Sequence, residues 1–551
     1  MKDIHIKQKP FLTLHSLGGG SNGVILGSSG GENYWFSLFS RNSGGNMNSF
    51  TTADSDAQGN VYAIGYSNRH TGVLQQYGYY YGDLIIVKWN KDGEYQWQRV
   101  IGSKGTPTFS DDYSTETGRD LKVGSSGNVY FVGQTDEYNG SPIIGKVSSS
   151  GSLLWMQYFG GSGYNEDASS LVLDSSENVY VGAITKSASS GMPGHGTDNI
   201  VLVKYNSSGV KQWSRAFQTG VNELCSGVAV DSDGTNYYFC GHTTQYSNDG
   251  VVSKIQQANH SEQWYRRVGW PSRQGYPSIV ADDQIDGMAV DSSGNVYVVG
   301  DTNFKTQARA MFLAKFNSSG SFEWKRLIYS DNSTIGGNTT LGGNYDDMYA
   351  RDVTVDGSGN VYCMATENGG WFCNRSGNYT GVIFKFDTSG EYKWGIGCGS
   401  TVNSFGNDDY VSRINVDSTG KNLLIAGYTK YIHPNVQGSF TGFVLKIPTE
   451  DGGAQFAGDY PTGQTSNPSH EYPFVLGGGH KRDKLQEGGV GIGAGYTSSF
   501  PSDTSTMYWN YHYYSAGSAD SYMTDADVSN NYTISASDLS TADEDPYELS
   551  S

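Results

Sequence analysis

Four groups of residues in this 551-residue chain carry side chains that could do chemistry. The first is an aspartate that returns before a Ser/Gly/Asn turn, at Asp174, Asp231, Asp291, Asp356 and Asp417, with Asp54-Ser55-Asp56 in a related place. Two carboxylates flanking a scissile bond hydrolyse glycosides, but an aspartate recurring in every repeat unit reads as a determinant of the fold, so no catalytic residue is assigned. The stretches Asp54–Gly59 and Asp231–Gly234 approach the opening of a calcium loop. Position twelve from Asp54 is Gly65, where a bidentate glutamate is required, so both read as β-turns and no metal is expected. The second group is a lysine that returns seven times, at Lys88, Lys146, Lys204, Lys254, Lys315, Lys385 and Lys446. We expect each stem to lie on a sheet face with its ammonium on the turn aspartate of its own or the next unit. The third group is the aromatic run of residues 508–514, with Tyr508, Trp509, Tyr511, Tyr513 and Tyr514 as expected binding residues that stack on sugars or dock a partner subunit. The fourth is Gly489, Gly491, Gly493 and Gly495. Their spacing of two, with no helix after them, does not make a dinucleotide fingerprint. GxxxxGK[ST] and HExxH are missing, and no GxSxG match is convincing for an all-β chain. We therefore expect neither a cofactor nor an enzyme.

The elements that position these residues follow from repetition. An apolar alternation ending in Asp, a turn, and an aromatic-rich alternation ending in Gly recur as Thr52–Gly65, Leu121–Gly133, Leu171–Gly182, Met288–Gly300 and Val353–Ala365, with weaker copies at Val228–Gly241 and Ile414–Gly427. Each is followed by the lysine-bearing apolar run, and then in most copies by a polar turn and a tryptophan four residues past its Gly, as in Gly93 to Trp97 and Gly320 to Trp324. Period-two alternation with β-branched and aromatic residues gives four short strands per unit. Such a unit buries its faces only against its neighbours, and four strands in about 40–60 residues mark a propeller blade. The expected fold is an all-β, seven-bladed β-propeller whose repeated structural residues are the seven lysines together with Trp35, Trp97, Trp155, Trp213, Trp264, Trp324 and Trp394.

The seventh copy has its lysine strand near Lys446 but no tryptophan strand after it. Gly31 to Trp35 shows the missing spacing before the first unit. The chain therefore predicts that residues 34–40 supply the outer strand of the last blade and close the ring. Domains divide as an N-terminal extension 1–30, the propeller 31–447 and a C-terminal extension 448–551. Both extensions leave from one blade and are expected to form a single accessory module.

The units VDSSGNVYVVG, VDGSGNVYCMA and LDSSENVYV resemble the bacterial and viral β-propeller repeat family whose hallmark is Asp-Ser-x-Gly-Asn-Val-Tyr-Val-x-Gly. The resemblance spans roughly 31–447 and implies the fold, since propellers host unrelated activities. The chain as a whole is similar to propeller-containing structural proteins of marine bacteriophages, including tail nozzles and fibres. That implies a virion protein of the tail or its host-facing end, acting by subunit docking and host-surface binding through the loops between strands. Its partners would be further copies, other tail proteins and host glycans. The alternative is a bacterial surface or extracellular protein that binds glycan or protein; a propeller lyase or glycosidase ranks behind both.

Charge sets further bounds. With 36 Lys+Arg against 55 Asp+Glu the net charge is −19, which repels nucleic-acid phosphates and anionic membranes. Residues 451–551 hold 14 Asp+Glu and 3 Lys+Arg, so most of the excess lies in the C-terminal extension. Five cysteines are too few for a disulfide framework. No apolar run reaches a membrane-spanning length of about 18 residues.

Overall fold

The computed structural model describes residues 13–16, 23–27, 35–41, 48–68, 82–101, 116–135, 142–159, 167–185, 198–218, 222–243, 249–269, 282–303, 309–328, 347–368, 379–400, 408–429, 440–450, 474–481 and 533–535. Their regular structure is β-strand throughout. Seven antiparallel sheets each contain a four-stranded blade, spanning residues 48–101, 116–158, 167–218, 223–268, 283–328, 347–400, and 409–448 joined by 35–41. The innermost strand of each blade packs beside that of the next, and the seventh, Asp409–Val416, lies against the first, Asn48–Ser55, so the ring is closed.

Closure occurs as the sequence requires. Trp35–Arg41 pairs with Thr441–Pro448, with Trp35 opposite Lys446 and Phe39 opposite Gly442. This pair completes a set: in all seven blades the repeated lysine sits directly across from the repeated tryptophan. The third strands are sealed on both faces by neighbouring blades, and Ala310–Phe316 is buried at every position, which is why these strands read as unbroken apolar runs around one lysine.

The topology gives the disc two different faces. The first–second and third–fourth strand turns fall on one face, and the second–third connections and interblade links on the other. Each innermost strand carries one β-bulge, at Thr51, Arg119, Ser169, Ser226, Asp286, Arg351 and Ser412. A bulge re-aims side chains, and these line the wall of the central channel.

The two extensions do not form one module among the described residues. Gly23–Gly27 and Thr13–Ser16 add outward to the closing strand of the seventh blade. Phe474–Lys481 pairs with the outer strand of the sixth blade, and Thr533–Ser535 with that of the third. An outer strand presents unpaired N–H and C=O groups on any blade, so the two flanks need not share one edge. The aromatic run containing Tyr508, Trp509, Tyr511, Tyr513 and Tyr514 lies outside the described residues, as do most of the loops expected to bind.

Candidate functional site

On the turn face one bonding pattern is used repeatedly. The turn aspartate folds the first hairpin: Asp56 Oδ1 accepts from the N–H groups of Gln58 and Asn60 at 3.0 and 2.9 Å, while Oδ2 accepts from the Asn60 amide at 2.7 Å and the Tyr62 hydroxyl at 2.9 Å. Asp291 and Asp356 repeat these contacts with Asn295 and Tyr297 and with Asn360 and Tyr362. With its oxygens committed, the aspartate leaves little for the lysine, and the expected ion pair forms in only two described blades, Lys204 with Asp174 at 3.8 Å and Lys446 with Asp417 at 3.6 Å. Elsewhere the ammonium reaches the next blade. Lys88 Nζ and Trp97 Nε1 both donate to the Ser149 carbonyl at 3.0 and 3.1 Å. Lys146 and Trp155 share that of Ser207, Lys254 and Trp264 that of Ser318, and Lys315 and Trp324 that of Thr388. The same ammonium groups lie over the tyrosine of their own blade, at 4.6 Å for Lys146 over Tyr130 and 5.2 Å for Lys385 over Tyr362, a cation–π contact worth about 0.5–2 kcal/mol. Burial holds the Lys88, Lys146, Lys204, Lys385 and Lys446 ammonium groups below their usual range. These lysines and tryptophans thus serve blade-to-blade bonding.

The seam leaves no room for a side chain at the turn glycine. Gly320 has φ +78, and a Cβ there would stand 2.6 Å from the Trp264 ring. One junction departs from the pattern. The second blade carries Gly124 where others have aspartate, and the third carries Glu177, at φ 57, where others have glycine. The Glu177 carboxylate reaches back to accept from the Ser126 N–H at 2.9 Å and the Tyr130 hydroxyl at 2.7 Å. It supplies the missing carboxylate from the neighbouring blade.

The channel wall, by contrast, differs from blade to blade. Some of its charges tie blades together. Asp120 accepts from the Leu121 and Leu171 N–H groups at 2.9 and 3.0 Å and faces Arg413 at 3.4 Å. Asp352 accepts from Val353 and Ile414 at 2.9 and 3.1 Å, and burial pushes its carboxyl up to about 6. Lys122 donates to Asn415 at 2.7 Å across the second and seventh blades.

Toward the loop face, on the fourth to seventh blades, the wall changes character. Arg351 Nε donates to Thr366 Oγ1 at 3.1 Å, and its two terminal nitrogens have no acceptor among the described residues. One blade earlier, at the equivalent bulge, Asp286 Oδ2 is closed off from solvent without a partner. Its carboxyl is held well above the usual range by burial and by the charge of Asp301, against the opposing pull of Arg351 and Arg309. Asp301 pairs with Arg309 at 3.4 Å. His242 of the fourth blade has a buried Nδ1 without a partner, and burial together with the Arg309 charge lowers its imidazole to about 4. Between the arginines stands Tyr349, with Arg309 and Arg351 at 5.9 and 6.0 Å from its ring and its hydroxyl donating to Asp347 at 3.2 Å. From Tyr349 an aromatic row crosses into the seventh blade: Tyr379 at 6.2 Å, Tyr410 stacked on Tyr379 at 4.9 Å, Tyr428 stacked on Tyr410 at 4.9 Å, and Phe440 edge-on at 5.0 Å. All five rings are half-buried.

Sequence reasoning missed this row. Its signal was present in register: at the position just before the bulged pair, the first five blades carry Ser49, Thr117, Asp167, Leu224 and Gln284, and the last two carry Tyr349 and Tyr410. Among the described residues no group of three His, Cys, Asp or Glu is placed to hold a metal ion, and Cys225, Cys240 and Cys363 are buried free thiols.

Residues 263–305 match the model of a repeat family described as Beta-propeller repeat (SBBP), a segment running from the outer strand of the fourth blade through the second strand of the fifth. No curated protein matches the chain. Among solved structures, the chain is similar to the β-propeller domain of the Trilobed protease from Pyrococcus furiosus, at 8% identity and TM-score 0.38 over 74% of this chain and 99% of that one. It is also similar to Drosophila Semaphorin 2a, at 10% identity and TM-score 0.40 over 70% of this chain and 73% of that one.

Proposed function

We propose that the chain is a structural and docking component of a bacteriophage virion, in the tail or its host-facing end, and that it works by binding rather than catalysis. One observation carries the binding part of this reading. The residues that recur in every blade are consumed by blade-to-blade bonds, while those that break the repeat gather as a half-buried row of Tyr349, Tyr379, Tyr410, Tyr428 and Phe440 that starts beside Arg351 on the loop-side channel wall and extends outward beyond the innermost strands of the last two blades. A rigid disc with one individual surface suits a subunit that holds neighbours through its rim and flanks and meets a host glycan on its loop face. Tyrosine and arginine are the residues enriched in binding hot spots. The virion setting rests on the sequence resemblance. Mass spectrometry of purified particles, with cryo-EM of the tail, tests it: the chain should be present at a stoichiometry set by the tail's symmetry, and a soluble monomer missing from particles would refute it.

The second reading is a bacterial surface or extracellular protein that uses the same row to bind glycan. Binding to immobilised glycans without incorporation into particles would select it. Release of products from a polysaccharide would instead point to a lyase or glycosidase, with Asp286 and Asp301 the carboxyls to test first.

A further inference from the structure

We propose that the loop-side channel wall of the fifth to seventh blades is a subsite for a carboxylate-bearing sugar, with Arg351 taking the carboxylate and Asp286 a ring hydroxyl. The inference rests on the reading of this surface as glycan-binding and adds the class of sugar. Three features lead to it.

The first is an unused fork. Elsewhere on the channel wall the cationic groups have partners: Arg413 meets Asp120 and the Ser169 carbonyl, Arg119 meets Gln134 and Asp167, and Lys122 meets Asn415. Among the described residues Arg351 is anchored through Nε alone, which fixes the plane of its guanidinium and leaves the two terminal nitrogens for a planar, two-oxygen acceptor. A carboxylate has that geometry.

The second is an unused acceptor at the matching place. Asp286 and Arg351 are the bulged residues of adjacent innermost strands. They influence each other's charge without forming an ion pair among the described contacts. Asp286 Oδ2 has no donor among the described residues, and burying such an oxygen unpaired is costly. A hydroxyl from a bound ligand would satisfy it, so one molecule carrying a carboxylate and neighbouring hydroxyls completes both residues.

The third is the row itself. Tyr379, Tyr410 and Tyr428 are stacked face to face. They therefore offer edges and phenol groups to a ligand, which suits hydrogen bonding along a polyhydroxylated chain. Charge excludes the commoner anion. Asp301 and Asp347 stand close by, and a phosphate dianion would bring two negative charges beside them with Arg351 the one cation on this stretch of wall that has terminal nitrogens without an acceptor among the described residues. A singly charged sugar acid, whose other contacts are neutral hydroxyls, suffers less of that repulsion.

The test uses the full chain and four soluble probes: trigalacturonate, its methyl ester, sialyllactose and lactose, titrated by calorimetry. The expected result is binding of one acidic probe at least about tenfold tighter than its neutral counterpart, and which pair responds distinguishes a uronic from a sialic acid. Arg351→Gln should remove that discrimination, Arg351→Lys should restore part of it, and Asp286→Asn should weaken acidic and neutral probes alike, with melting temperatures confirming that each variant is folded. Equal binding of acidic and neutral probes, or discrimination that survives Arg351→Gln, overturns the inference and leaves glycan binding standing. No binding of wild type to these probes or to a broad glycan array overturns both.

Discussion

The two faces of this disc follow opposite rules. On the turn face, seven lysines sit opposite seven tryptophans, and the carbonyl that accepts from both belongs to the next blade in four junctions out of seven described. On the loop-side channel wall, equivalent positions carry Ser, Thr, Asp, Leu, Gln, Tyr and Tyr. Repetition therefore marks what holds the ring together, and departure from repetition marks where one blade has a task the others lack. Substitutions that separate stability from binding along this line would sharpen the contrast, and substitutions that mix the two would break it.

The largest effect should come from removing residues 31–40. Without Trp35, which is 3% exposed and sits opposite Lys446, the seventh blade lacks its outer strand. Thermal unfolding should lose its single cooperative transition, and an unchanged melt would show that the ring closes some other way. Next is Gly320→Ala, which combines a left-handed backbone with a clash against Trp264 and should cost about 2–4 kcal/mol in urea unfolding. Gly357→Ala is its control. Nothing lies within 4 Å of a Cβ there and its φ is not positive, so it should change stability by no more than about 1 kcal/mol.

A smaller and more specific effect concerns the exchanged pair. Gly124→Asp alone forces a carboxylate against Glu177, whose Cδ lies 2.6 Å from the new Cβ, and Glu177→Gly alone leaves the Tyr130 hydroxyl without its acceptor. The double variant restores the pattern of the other blades. A double-mutant cycle should therefore give a favourable coupling of about 1–3 kcal/mol, and additive effects would mean that Glu177 is not a substitute for the aspartate.

The smallest effect separates the faces most directly. Asp286 binds its proton more tightly when folded than unfolded, because burial and Asp301 disfavour its charge. Its contribution to stability is thus present below the ordinary carboxyl pKa of about 4 and is lost as pH rises above it. Asp286→Asn should melt higher than wild type at pH 7 and no higher at pH 3. His242 has the opposite sign. Its folded pKa of about 4 lies below its ordinary 6.5, so its contribution is present above pH 6.5 and lost as pH falls toward 4, and His242→Gln should flatten that part of the melting profile. A channel wall built only for stability would show neither gain nor compensation.

Much of this architecture could be read from the chain, for a physical reason. A blade cannot bury its own faces, so its determinants must recur, and seven recurrences of Lys and Trp, with Asp and Tyr in most copies, expose the ring and even its closing strand. The lysine partner was misjudged because the aspartate's oxygens are already used by Asn60 and Tyr62 and their counterparts. An alternation of residues cannot reveal that an acceptor is full. The row from Tyr349 to Phe440 was missed because it is made where the repeat fails, and Tyr379 meets Tyr410 across a blade boundary. Proximity of that kind depends on strand register in two sheets at once. Glu177 was likewise hidden, since its role is set by a glycine 53 residues earlier.

The strand that closes the ring is also among the first parts of the ring to be synthesised. Trp35 leaves the ribosome before any blade is complete and must remain available until Lys446, 411 residues later, has been made. Contacts of such long sequence separation form late and slowly. A chain cut short anywhere before residues 441–448 would leave Trp35–Arg41 without its blade and give an open, edge-exposed arc in place of a disc. Fastening residues 35–41 to residues 441–448 thus acts as a check on synthesis, under which only a chain extended past residue 448 can reach the closed form.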